Sequence, residues 1–176
     1  SGGINLSLWK KACTQPLDST QTTYVNLGLF SAMHKLHGVG FNAFGSMVQN
    51  NMNGVQISGL ANLAGGSMHG VQIGGISNVN GNNLAGLSVS GLVNGNKAKG
   101  VLITGLSNIA GDNMRGLMMS GIMNITGDKA AGVQLAGLAN VTGEEYDGLM
   151  MSGLLNVVGE EMNGLQLSGL ANVTGG

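Results

Sequence analysis

Glycine at a fixed spacing constrains this chain more than any other feature of its sequence. Gly38, Gly54, Gly70, Gly86, Gly100, Gly116, Gly132, Gly148 and Gly164 each open the same phrase, sixteen residues apart except for a fourteen-residue step from Gly86 to Gly100. The last full copy reads GLQLSGLANVTG. Self-similarity at such a period is the mark of a repeat architecture, in which each unit buries its faces only by stacking on its neighbours. Glycine supplies 33 of the 176 residues. At a cost of about 1 kcal/mol each against Ala inside a helix, that density disfavours helices throughout.

Within each phrase the aliphatic residues alternate, as in Val55 and Ile57, Val133 and Leu135, or Leu165 and Leu167. This is the period of a strand. With Leu165 and Leu167 read as inward-facing, the next inward residue is Gly169, yet the next large apolar residue is Leu170. A corner at Ser168-Gly169 that shifts the phase by one accounts for the mismatch, because Gly reaches backbone angles closed to other residues. Each repeat then holds two short strands. A column of Asn runs beside the second one: Asn62, Asn78, Asn94, Asn108, Asn124, Asn140, Asn156 and Asn172. Identical amides stacked about 4.8 Å apart can bond to one another, each being donor and acceptor at once, so the column reads as an internal ladder.

The expected fold class is therefore all-β: a β-solenoid of the single-stranded β-helix or β-roll kind, with coils of about sixteen residues, two short strands per coil, Gly corners and an Asn ladder. Residues 38–176 supply about nine coils in one continuous domain. Residues 1–37 depart from the pattern and read as an irregular N-terminal capping segment with β-strands. The fourteen-residue coil passes from Asn94 directly to Gly95 without the usual aliphatic residue, which predicts a local dent. Asp112, Arg115, Asp128, Lys129, Glu144, Glu145, Asp147, Glu160 and Glu161 mark solvated turns.

The third and eighth positions of the phrase vary most. The third reads Gln56, Gln72, Ser88, Leu102, Met118, Gln134, Met150 and Gln166. Read as outward, Met118, Met123, Met150 and Leu155 form an apolar interface on alternate coils, since exposed Met is adaptable contact surface. Read with the opposite phase, the same Met residues fill the core. Both readings stand at this level.

A formal net charge of −1, with 9% charged residues, gives nucleic acid no electrostatic footprint to bind. Polar residues and Gly interrupt every apolar stretch, so no transmembrane helix is expected. Catalytic, cofactor-binding and metal sites are expected to be none. His34, His37 and His69 have no completed ligand set, and Cys13 stands alone. The Asn-x-Thr triplets at Asn124, Asn140 and Asn172 fall on the ladder, which explains them better than glycosylation does.

The Gly-x-Gln-x-Ser-Gly-Leu-x-Asn phrases, with INLSLWK and QPLDSTQTTYVNLGLF ahead of them, resemble the exported surface-repeat proteins of Bacteroidetes and some spirochaetes. The resemblance implies a bacterial protein at the cell surface or outside the cell and carries no established activity. It also makes Asp18-Ser19-Thr20 look like an O-glycan acceptor of that phylum. The function expected is a non-catalytic structural or interaction module that presents a flat β-face for adhesion or assembly, its partner a second copy, a surface protein or a glycan. The alternatives are a polysaccharide-active β-helix enzyme and a small outer-membrane β-barrel. Missing aromatic sugar platforms along the coils count against the first, and missing aromatic girdles against the second.

Overall fold

The structure, a computed structural model, describes residues 2–9, 12–13 and 22–176, with side chains at 2, 5, 7–9, 12–13 and 93–96 set aside. The thiol of Cys13, the Asn94 amide and Asp18-Ser19-Thr20 thus lie outside the described residues, and so does the dent expected after Asn94. All described elements are strands, and no helix is present among them.

The chain winds as a β-solenoid. A long strand and a short strand alternate: β5 (Met52–Ser58) and β6 (Ala61–Ala64), β9 (Met114–Ser120) and β10 (Met123–Thr126), β11 (Ala130–Ala136) and β12 (Ala139–Thr142), β13 (Tyr146–Ser152) and β14 (Leu155–Val158), β15 (Met162–Leu167) and β16 (Ala171–Thr174). Between the first pair and the others lie β7 (Met68–Gly74) and the continuous β8 (Ser77–Ala110), which carries the fourteen-residue step. Every long strand pairs parallel and in register with the next, Gly116 with Gly132 and Gly132 with Gly148, and every short strand does the same, Asn124 with Asn140. Parallel pairing of residues one coil apart argues against the small outer-membrane barrel, whose neighbouring strands run antiparallel. At the N-terminal end β1 (Gly2–Trp9) and β3 (Thr22–Met33) continue the parallel stack onto β4 (Lys35–Val48), with register shifts. The short β2 (Ala12–Cys13) pairs antiparallel with β1.

On the short strands the Asn column faces inward as expected, whereas on the long strands the phase is the reverse of the one that puts Leu165 and Leu167 inside. In the coil that starts at Met114 the inward residues are Met114, Met118, Ser120, Asn124 and Thr126, followed by Ala130 of the next coil. All are even-numbered, so the parity carries from strand to strand, although at the corners themselves even-numbered Ile122 and Asp128 turn outward. The aliphatic residues that look like core in the sequence, Leu117, Met119 and Ile125, point outward. Ile122, expected inward, stands exposed at the corner. Because sixteen and fourteen are both even, the shorter coil keeps its phase; losing a single residue would have turned every later side chain to the other face.

The lumen is a narrow core with an apolar side and a polar side. Met52, Met68, Leu84, Ala98, Met114, Ala130 and Tyr146 stack along one edge of the long strands, all buried. The third-position column lies beside them: Gln56, Gln72, Ser88, Leu102, Met118, Gln134 and Met150 are buried too. Met118 and Met150 are 0% exposed, so they belong to the core and not to the outward interface one reading gave them. Polar groups in this column pair along the axis or across the lumen with the short strand. Gln72 Nε2 donates to Gln56 Oε1 at 2.9 Å, and Gln134 Nε2 to Thr126 Oγ1 at 3.1 Å.

The ladder closes the other edge. The Nδ2 groups of Asn108, Asn124, Asn140 and Asn156 each donate at 2.9 Å to Oδ1 of the Asn one coil on. Asn62 donates to Asn78 in the same way at 3.0 Å. Each amide also reaches a backbone carbonyl before the next corner, Asn124 to Leu135 and Asn140 to Met151 at 2.8 and 2.7 Å. A buried polar group with its bonds made carries little desolvation penalty. That is how so polar a core is tolerated, and why Asn124 and Asn140 are structural.

Glycine spacing has a direct cause at the head of each phrase. Gly38 to Gly164 in this column all hold φ between 121° and 146°, outside the range of ordinary L-residues. A Cβ on Gly132 would also collide with the carbonyl oxygen of Gly116 in the coil before.

This packing makes two outcomes measurable. Met118→Ala should cost about 2–5 kcal/mol by emptying core volume, while Met119→Ala should cost less than about 1 kcal/mol. Urea unfolding of the two variants measures the difference, and equal losses would restore the opposite phase. Burial also pushes the Tyr146 hydroxyl well above the ordinary phenol value. An acid whose pKa is raised on folding ionises first in the unfolded chain, so its contribution is complete below pH about 10 and is lost as the pH rises beyond it. Stability measured from pH 9 to 12 should therefore fall less steeply in Tyr146→Phe than in the parent chain.

Candidate interaction surface

With the lumen filled largely by polar and flexible side chains, most of the branched aliphatics are left outside. Three outer columns carry them. One follows the phrase Gly and holds Val101, Leu117, Val133 and Leu149, half-buried by their neighbours. The next holds Ile103, Met119, Leu135 and Met151, of which Ile103, Met119 and Met151 are 37%, 38% and 40% exposed. The third sits at the corner, where Leu106, Ile122, Leu138, Leu154 and Leu170 are all exposed. Beyond the corner the short strands add Ile125, Val141 and Val157. Scattered exposed Leu needs no explanation, but a continuous sheet of it does.

Among the described residues charge gathers at the opposite corner and in the long-strand column next to it. Asp112, Asp128, Glu144, Glu145, Glu160 and Glu161 occupy the corner opposite the Leu column. The outward column just before the phrase Gly adds Lys99, Arg115 and Asp147. Lys129 Nζ lies 2.8 Å from Glu145 Oε1, and that carboxylate holds the ammonium above its ordinary range. The pair is half exposed, so it contributes little to stability. Asn113, Arg115, Lys129, Glu145, Tyr146 and Asp147 line a shallow depression on this edge.

The faces are not smooth. Coils starting at Met114 and Tyr146 carry the larger outer residues Leu117, Met119 and Met123, and Leu149, Met151 and Leu155. The coil between them carries Val133, Leu135 and Ala139. Met119, Leu135 and Met151 line a groove that runs along the middle coil. The Met alternation visible in the sequence is real, but its surface members differ from those expected. Met123 and Leu155 do lie outward, half-buried, yet they share the surface with Met119 and Met151 and not with Met118 and Met150.

The remaining side chains singled out in the sequence are dispersed. His34 Nδ1 lies 3.1 Å from Gln49 Oε1, and Asn50 Nδ2 lies 3.0 Å from His34 Nε2. His37 meets Tyr24 edge to face, with ring centres 5.9 Å apart. His69 stands in a separate coil beside Asn53 and Ala85. Among the described residues no three His, Cys, Asp or Glu side chains are grouped so as to hold a metal ion, and no helix is long and apolar enough to cross a membrane. Nearer the N-terminus Phe30 and Phe44 stack with centroids 5.2 Å apart, beside Leu60 and Leu63 in an apolar depression of about 310 Å³. No protein-family model, curated protein or solved structure matches the chain.

Proposed function

We propose that this chain is a non-catalytic structural module of an exported bacterial protein, and that it works by laying a flat, aliphatic β-face against another surface in assembly or adhesion. The observation that carries the reading is the segregation of the exterior. Ile103, Met119 and Met151 stand exposed on one face and Leu106, Leu138 and Leu154 along the corner beside it, while charge gathers on the opposite edge. A contiguous exposed apolar face of this kind marks an interaction surface, where single exposed aliphatics would not. Its backbone adds rigidity, because each strand is bonded to two neighbours and the face loses little conformational freedom on contact.

Replacing Ile103, Met119 and Met151 with Thr tests the reading. Thr keeps strand propensity while removing most of the apolar surface. The triple variant should keep the circular dichroism of the parent and lose most of its retention on an octyl matrix. Unchanged retention would remove this face as the contact surface.

A further inference from the structure

Building on that reading, we propose that the occupant of the long-strand face is a second copy of this chain, turned end for end about a two-fold axis that lies along the strands between the coils of Gly116 and Gly132.

The outer relief selects this arrangement. Ridges at Met119 and Met151 alternate with the groove at Leu135, so two such faces interlock only when a coil with large residues meets one with small residues. A two-fold axis along the solenoid would set each coil against itself, ridge on ridge. It would also reverse the strand direction, laying the charged column of Lys99, Arg115 and Asp147 against the aliphatic columns. An axis along the strands avoids both faults. Placed between two adjacent coils, it sets the Met119 coil against the Leu135 coil of the second copy and keeps like columns face to face.

Charge then fixes which pair of coils the axis passes between. In the column before the phrase Gly the order is Ala85, Lys99, Arg115, Ala131, Asp147 and Asn163. With the axis between Gly116 and Gly132, Lys99 faces Asp147 of the second copy, and by symmetry Asp147 faces Lys99 of the second copy. Arg115 faces Ala131 of the second copy, one coil from the same carboxylate. Moving the axis one coil toward the N-terminus sets Lys99 against Arg115 of the second copy, like against like; moving it one coil the other way leaves Asp147 facing Ala131 of the second copy. Within one chain Lys99 and Arg115 are register neighbours, a like-charge stack that the Asp147 carboxylate of the second copy would relieve.

The area is adequate. Six coils of each copy overlap, from Gly86 to Gly164. At about 4.8 Å per coil and about 3.3 Å for each residue of a seven-residue strand, the shared footprint is roughly 650 Å² on each copy. The total of about 1,300 Å² falls within the 1,200–2,000 Å² of stable, specific interfaces. Contacts of this kind, between isologous patches on two identical chains, close on themselves as a dimer.

Sedimentation equilibrium of the whole chain, with charge reversals, tests the proposal. The parent should sediment at twice the 17.7 kDa of one chain. Lys99→Glu and Asp147→Lys should each weaken the dimer tenfold or more, and the two together should bring the dissociation constant back to within about threefold of the parent. Lys99→Glu removes the like-charge stack inside the chain, so loss of association in that variant is not loss of folding. A dimer indifferent to the single reversals, or not recovered in the double variant, overturns this arrangement. A parent chain that stays monomeric yet binds the octyl matrix overturns the second copy as occupant and leaves the apolar contact face intact. A monomer that also fails to bind the matrix overturns both.

Discussion

Parallel, in-register hydrogen bonding between coils of matched phase is the constraint on which the rest of this structure depends. Once Gly116 pairs with Gly132 and Gly132 with Gly148, every residue lies against its counterpart one coil away. Side chains therefore succeed or fail as columns. Amides succeed because Asn on Asn completes its own bonds, as Asn124, Asn140 and Asn156 do, each accepting from one Asn and donating to the next. Glycine is required wherever the backbone folds back onto the same carbonyl of the coil before, as Gly132 does on Gly116. Like charges fare worst, and that rule is strained where Lys99 lies above Arg115 and where Asp112, Asp128, Glu144 and Glu160 follow one another at the solvated corner.

A column architecture also explains why the interior and exterior have exchanged their usual composition. A coil of sixteen residues encloses a slim lumen, so the inward positions favour side chains that lie flat, bond along the axis or adapt their shape. Gln, Ser, Thr, Asn and Met meet those needs. Branched aliphatics fit the outer face instead, where the pleated surface suits them and neighbours one coil away cover part of each. The outside thus acquires a broad apolar sheet without any residue having been added for the purpose. Function, in the reading given above, grows from the surface that this packing leaves over.

Much of the fold is legible in the amino-acid sequence. The sixteen-residue spacing of Gly, the strand alternation in Val133-Gln134-Leu135 and the repeated Asn point to stacked β-coils, because period and composition are properties of the chain alone. A barrel stays open as an alternative at that level only because a strand pattern does not state whether neighbours run parallel. The candidate surface is less legible. Met118 and Met150 read as outward when Leu and Val are given the core, and a phase slip at Ser168-Gly169 is then needed to keep Leu170 inside with Leu165 and Leu167. A signal against that reading is present in the chain. Taking the Asn column as internal and carrying its parity around the coil without a slip gives Met114, Met118 and Ser120 as the inward set.

By itself, then, the sequence determined the repeat, the strands, the corners and the ladder, since each follows from residue spacing and the conformational range of Gly. It also divided each coil into two alternating sets of side chains. Which set faces the lumen was decided only by the tertiary structure, because alternation has no sign: either set stands opposite the other equally well until the coil closes. Closure chose the even-numbered set, whose Asn amides reach both the next Asn and the carbonyl before the next corner, as Asn124 reaches Asn140 and Leu135. The same closure placed Lys99, Arg115 and Asp147 in one column and the ridges of Met119 and Met151 beside it. No stretch of sequence brings those residues together; sixteen-residue winding does.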